Sequence, residues 1–262
     1  MNRKKVYLID LDGTLYSGDI ALPYASQFVE FLNDNKYKYL ALTNCPSRTQ
    51  RQVSKKLLAM NVMVKPKDVL TSGMATAKIL SEEYKIKSAY VLGTWPLKNE
   101  LKKQGIKIQK ESAQAVVVGF DTTLTYKKLS HAAILVNHGA MLFSTNIDSD
   151  TPKGNENVPH TGPIAKALEF ATGKKCIYIG KPETHMLDIA CKILSCNKDE
   201  CVMLGDRVDT DVTFARNCGI ASYLVLRETN DYSGLNEELT PSCIFKNLLE
   251  VIEKEKAEHN IA

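Results

Sequence analysis

The chain has 262 residues, a net charge of +4, 44% hydrophobic and 24% charged residues, ordinary figures for a globular protein with room for one large or two modest domains. No Lys/Arg run is long or one-sided enough to trace a nucleic acid, and no apolar stretch nears the roughly 20 residues that cross a bilayer. The seven cysteines are scattered and form no Cys-x-x-Cys pair, so they read as reduced thiols and not as a disulfide or zinc framework.

The basic N-terminus leads into a strand containing Asp10 and Asp12, unlike a secretory signal, so the expectation is a cytoplasmic protein. Val6 to Ile9 are apolar and run into Asp10-Leu11-Asp12-Gly13-Thr14-Leu15. Such a run before a turn glycine predicts a buried strand of a parallel sheet. Residues two apart share a face, so Asp10 and Asp12 are expected together at the carboxyl end, where open α/β sheets bind ligands. Paired carboxylates repel unless a cation separates them, and oxygen donors favour a hard ion such as Mg²⁺. A plain polar turn would use the same residue types, so partners elsewhere must decide.

Phe28, Phe31 and Leu32 give residues 25–35 helical spacing. Tyr37 to Leu42 predicts a second strand, ending at Thr43-Asn44-Cys45-Pro46, with Ser47 capping a helix to about Met60. A hydroxyl at a strand tip before a helix suits a phosphate, although Thr43 also reads as an ordinary β-branched strand residue. A strand over 69–71 and a helix over 73–84 complete a β-α-β-α-β-α pattern, the signature of a doubly wound parallel sheet.

A second set follows: strands over 89–92, 115–118 and 141–144, with helices over 96–104 and 126–137. The last strand opens into Thr145-Asn146-Ile147-Asp148 and a polar loop reaching His160, long enough to read as functional. Asn146 and Asp148 are its candidate substrate contacts. After a helix over 162–172, a strand over 176–179 ends at Gly180-Lys181-Pro182, and a helix covers 184–194. Lys181 is either a fixed cation for a phosphate or a surface lysine. A strand over 201–204 ends in Gly205-Asp206-Arg207-Val208-Asp209-Thr210-Asp211, followed by a helix to Cys218. One of Asp209 and Asp211 reads as its cap, whereas Asp206 comes too early for that. A strand over 221–226 and a terminal helix over 244–256 close the chain. The expected architecture is α/β: a Rossmann-like doubly wound core in 1–80 and 180–262, with 81–179 an inserted α/β cap domain.

Four strand tips thus carry Asp10 with Asp12, Thr43, Lys181, and Asp206 with Asp211. In this order they closely resemble the four motifs of the haloacid dehalogenase superfamily of phosphotransferases. The long insert resembles the branch with a large α/β cap. Asp12-Gly13-Thr14-Leu15-Tyr16, Thr43-Asn44, Val118-Gly119-Phe120-Asp121, Gly180-Lys181-Pro182 and Gly205 to Asp211 look like the NagD and 4-nitrophenylphosphatase-like family. The resemblance implies hydrolysis of small phosphate monoesters, such as nucleotide or sugar phosphates, through an aspartyl-phosphate. Asp10 would be the nucleophile and Asp12 the general acid and base. Mg²⁺ would sit on Asp10, the Asp12 carbonyl and Asp206, with Asp211 behind them orienting Lys181 or a water on the metal. Thr43, Asn44 and Lys181 would hold phosphoryl oxygens. A homodimer through cap helices is a further expectation.

Departures from the family pattern are Cys45 in place of a second Asn, Asn146-Ile147-Asp148 for Asn-Pro-Asp, Pro159-His160-Thr161-Gly162 at the turn after the cap loop, and Arg227-Glu228 for Thr-Gly. They spare the four motifs and bear on the substrate. A phosphomutase and a catalytically idle binding protein are the alternatives, and oxidation of Cys45 is a conceivable inhibitory event.

Overall fold

In the computed structural model, residues 5–153, 156–228, 230, 232–237 and 239–261 are described. The chain divides into two units, one built from 1–43, 50–70 and 182–262, the other from 44–49 and 71–181.

The first unit opens with β1 (Val6–Asp10), a small hairpin of β2 (Tyr16–Ser17) and β3 (Ile20–Ala21), α1 (Ala25–Asp34), β4 (Tyr39–Thr43), α2 (Gln50–Ala59) and β5 (Val69–Thr71). In the second unit follow α3 (Ser72–Glu82), β6 (Ser88–Leu92), α4 (Trp95–Lys103), β7 (Lys107–Ile108), β8 (Ala115–Val118), α5 (Tyr126–Asn137), β9 (Met141–Ser144), β10 (Asp150–Lys153), β11 (Glu156–Pro159), α6 (Thr161–Thr172) and β12 (Ile177–Tyr178). The chain returns to the first unit with α7 (His185–Leu194), β13 (Cys201–Gly205), α8 (Thr213–Cys218), β14 (Ala221–Val225), β15 (Cys243–Phe245) and α9 (Leu248–His259).

The first unit's sheet runs β15-β14-β13-β1-β4-β5. Its first strand lies inside the sheet because Val6, Tyr7, Leu8 and Ile9 are all buried, leaving no face for solvent. The chain leaves β1 toward β4 on one side and returns through β13 on the other, so β1 is the topological switch point where such sheets bind ligands. Registers are parallel: Ile9 pairs with Leu204, and Asp10 with Leu42. Tyr7 meets Phe28 of α1 edge-on at 5.7 Å and Tyr223 of β14 at 6.3 Å. Helix α9 seals this layer with Leu248, Val251 and Ile252. Its buried Glu255 accepts hydrogen bonds from Lys5 Nζ at 3.0 Å and Tyr37 Oη at 3.1 Å.

The second unit has its own parallel sheet, β12-β9-β8-β6-β7. Val116 and Val118 of β8 pack there with Ala132 and Val136 of α5 and Ala165 and Leu168 of α6. Among the described residues, no helix is long and apolar enough to cross a membrane.

Several elements differ from the sequence reading. The α/β class is as expected, but α2 starts at Gln50 and not at Ser47. The polar loop over 148–160 holds an antiparallel hairpin, with Asp150 opposite Pro159; its strands hold only Pro152, Val158 and Pro159 as apolar residues, too few to show a period of two. The terminal helix starts at Leu248, capped by the Asn247 side chain. Ile244, read as its first residue, belongs to β15, which pairs with β14 through Val225 and Phe245. Helix α3 and Lys181 fall in the second unit, a division that differs from boundaries drawn after 80 and before 180. Gly73 of α3 lies against Leu97 of α4 and the Pro46 backbone, within that unit.

Phe28→Ala removes a fully buried ring from against β1. It should cost about 3–5 kcal/mol, read as a lower urea midpoint for the first unit.

Candidate active site

The tip of β1 is set by one carbonyl. Leu11 O accepts from the N–H groups of Thr14, Leu15 and Tyr16 at 3.3, 2.9 and 3.1 Å, so the chain coils tightly after the strand. Gly13, with φ of 99°, occupies a region that L side chains avoid. The coil buries Leu11, Thr14 and Leu15 and leaves Asp12 exposed, while Asp10 is half-buried. The two carboxylates expected together are thus held in different surroundings.

Asp10 instead meets carboxylates from the neighbouring strand. Asp206 directly follows β13, and Asp211 lies in a π-helical turn over Val208–Val212. Both are 2% exposed. Carboxylate oxygens of Asp10, Asp206 and Asp211 lie within 4.8 Å of one another. Asp206 accepts from Thr14 Oγ1 at 3.2 Å and from Asn230 Nδ2 at 2.6 Å, and Asn230 Nδ2 also bonds the Asp206 carbonyl at 2.9 Å. Asp211 accepts from the Arg207 N–H at 3.2 Å. Burial, then the Asp211 charge, pushes the Asp206 carboxyl up to about 6, against the pull of Asn230, Arg227 and Thr14.

A Cβ on Gly13 would overlap the Asp206 carboxylate, and one on Gly205 would overlap Asp211. Glycine at both positions is what permits this approach. Oxygen donors packed this closely fit a hard divalent cation.

The expected cap of α8 takes another form. Helix α8 has no side-chain cap bond. Asp209 pairs with Arg207 at the surface, and Asp211 joins the carboxylate cluster. Sequence reading placed Asp211 behind the metal ligands; its carboxylate stands among those of Asp10 and Asp206. Thr43, buried, ends β4 one residue beyond the Leu42 that pairs with Asp10.

Asn44, Lys181, Asn146 and Asp148 belong to the second unit and share one network. Asn44 Nδ2 donates to Lys181 O and to Asp148 Oδ1, both at 2.9 Å. The Asn44 carbonyl accepts from Asn146 Nδ2 and Ser72 Oγ, both at 2.7 Å. Asn146 Oδ1 accepts from the Asp148 N–H at 3.1 Å. Asn146 is therefore enclosed and engaged at both ends of its amide, and Asp148 holds Asn44; these two brace the backbone beside Asn44. Gly180 lies so close to Asn44 Oδ1 and the Thr145 carbonyl that a side chain would not fit. Lys181 is 1% exposed, which rules out the surface-lysine reading.

The same unit buries polar atoms that have no partner among the described residues: Asn44 Oδ1, Thr94 Oγ1, Thr145 Oγ1, His160 Nδ1 and Thr161 Oγ1. His160 stacks on Phe120, centroids 4.7 Å apart and planes 18° apart. Burial lowers its pKa against the opposing charges of Asp148 and Asp150. Sequence reading singled out neither Asn230 nor Thr145 nor Thr161. His160 carried one signal, its place where a glycine-rich turn was expected.

A carboxylate cluster at the switch point of a parallel α/β sheet, with a strand-tip threonine beside it, defines a class, and the family models agree. Residues 7–107 match the haloacid dehalogenase-like hydrolase family, and residues 178–251 match a second model of HAD-hydrolase-like proteins. The chain belongs to the haloacid dehalogenase superfamily, within its NagD and 4-nitrophenylphosphatase-like phosphatases, and is a phosphoric monoester hydrolase. It is 38% identical over 250 residues to the acid sugar phosphatase of Staphylococcus epidermidis, covering 95% of this chain and 96% of that one. The 4-nitrophenylphosphatase of Thermotoga maritima superposes with a TM-score of 0.89 at 34% identity, covering 95% of this chain and 97% of the other. A double mutant of the thermostable NPPase from Geobacillus stearothermophilus gives 0.88 at 34% identity, covering 95% and 98%.

Asn230→Ala should weaken divalent-ion affinity by about 10–100-fold, because Asp206 loses its amide donor. Activity titrated against Mg²⁺ checks this; an unchanged half-saturation would separate Asn230 from the metal site.

Proposed function

We propose that the chain is a Mg²⁺-dependent phosphatase that hydrolyses small phosphate monoesters of the sugar-phosphate class through an aspartyl-phosphate on Asp10. The convergence of Asp10, Asp206 and Asp211 carries the proposal. These residues, with the Asp12 carbonyl, would hold the ion, whose charge would offset the repulsion between Asp10 and an incoming phosphate.

Asp10 attacks phosphorus, and the bond to the leaving oxygen breaks. Asp12 donates a proton to that oxygen, then takes one from the water that hydrolyses the aspartyl-phosphate, releasing phosphate and restoring Asp10. The Thr43 hydroxyl, the Asn44 N–H and the Lys181 ammonium stabilise charge on phosphoryl oxygens. Enclosure of Lys181 supports a fixed cation over a mobile surface charge, and the network around Asn44 supports a preset amide. The sugar-phosphate class rests on the acid sugar phosphatases to which the chain is similar.

A panel of sugar phosphates and nucleotides with Mg²⁺ tests the substrate class; preference for nucleotides would overturn it. Asp10→Asn should reduce turnover by a factor on the order of 10⁴ or more with the melting temperature nearly kept. A folded variant with near-native rates would remove Asp10 as nucleophile.

A further inference from the structure

Three cysteines that are apart in the sequence meet in the first unit. Cys191 sits on the last turn of α7, Cys201 opens β13, and Cys196 lies in the connection between them. The Cys201 sulfur is 3.9 Å from that of Cys191 and 3.8 Å from that of Cys196. All three sulfurs lie within 4.8 Å of one another.

The backbone brings them there by its own bonds. Ser195 ends α7 in the left-handed region, with φ of 49°, a conformation that costs a non-glycine residue. The Cys196 N–H bonds the Cys191 carbonyl at 3.2 Å. Asn197 and Glu200 then form a reciprocal capping box that closes a 3₁₀ turn over Lys198–Glu200. The connection is therefore fixed without any link between the thiols.

The spacing distinguishes what the thiols could hold. A zinc–thiolate bond is about 2.3 Å, so sulfurs around a tetrahedral ion sit roughly 3.8 Å apart. A disulfide needs roughly 2.05 Å. We propose that Cys191, Cys196 and Cys201 form a binding site for a thiophilic divalent cation, Zn²⁺ foremost, separate in place and in chemistry from the carboxylate cluster. Soft sulfur donors select such an ion where the aspartates select a hard one. On binding, each thiol releases its proton to solvent, and three thiolates leave one coordination position to water. Cys201 is buried while Cys191 and Cys196 are half-buried, so the site opens on the side of the latter two. The bound ion clips the end of α7 to the start of β13, the strand that leads into Asp206.

The test uses the full chain, purified in reductant, stripped with a chelator and loaded with Co²⁺. Carboxylate-bound Co²⁺ gives no thiolate-to-metal charge-transfer band, so the phosphatase centre does not interfere. The expected result is such a band at one equivalent of Co²⁺, displaced by Zn²⁺ and untouched by excess Mg²⁺. Cys196→Ser should lose the band and any rise in melting temperature on adding Zn²⁺, while keeping Mg²⁺-dependent hydrolysis; Cys191→Ser repeats the test should Cys196→Ser not fold. Cys243→Ser should keep the band. A wild-type chain without the band, or a band that survives both cluster substitutions, overturns the proposal.

Discussion

Mutual repulsion among Asp10, Asp206 and Asp211 is the constraint around which the first unit is arranged. Two of these carboxylates are 2% exposed, and burying a charge costs several kcal/mol unless something offsets it. The protein offsets part of that cost with directed donors: Thr14 and Asn230 on Asp206, the Arg207 N–H on Asp211. What is left over shows in the raised pKa of Asp206, caused first by burial and next by Asp211. The glycines follow from the same packing, since side chains at 13 and 205 would occupy the space of the carboxylates. Three carboxylates whose oxygens lie within 4.8 Å of one another have the chemistry of a hard-cation site, as in the function proposed above.

Such strain requires a stiff support. Tyr7, Leu8 and Ile9 are fully enclosed, and β1 is held on both sides by parallel partners, β13 and β4. The ring of Phe28 fixes the strand from one layer. Because β1 sits at the switch point, its tip and those of β4 and β13 come side by side, and residues from three distant parts of the chain reach one sheet edge.

What the sequence made legible has the same origin. Apolar runs ending in Asp10, Thr43 and Asp206 show both the strand and its tip, because a strand buried on both faces has no polar alternation to obscure it. The hairpin of β10 and β11 gives no such signal, since its two strands hold only Pro152, Val158 and Pro159 as apolar residues. Ile244 and Phe245 read as the start of the terminal helix because a three-residue strand is shorter than either period can resolve. Asn230 was invisible for another reason: it acts from a loop, and only the fold places it against Asp206. Asn146 and Asp148 stay ambiguous in the sequence, because a short polar residue after a strand has the same composition whether it braces backbone, meets a ligand or does both. The cysteines show the limit of spacing rules, for two intervals of five residues match no zinc pattern until a turn at Ser195 folds them together.

Each unit departs from ideal apolar packing at particular polar groups. The first gathers the carboxylates of Asp10, Asp206 and Asp211. Among the described residues, hydrogen-bonding capacity is left unused at Tyr7 Oη and His259 Nε2 in the first unit and at Asn44 Oδ1, Thr94 Oγ1, Thr145 Oγ1, His160 Nδ1 and Thr161 Oγ1 in the second, each such atom costing about 1–3 kcal/mol when buried. Ordinary packing would fill these places with apolar side chains, as both sheets do elsewhere. Polar groups that stabilise nothing within the fold are retained where a fold gives up stability for a site. On that argument His160, held in place by its stacking on Phe120, keeps a ring nitrogen that has no partner among the described residues.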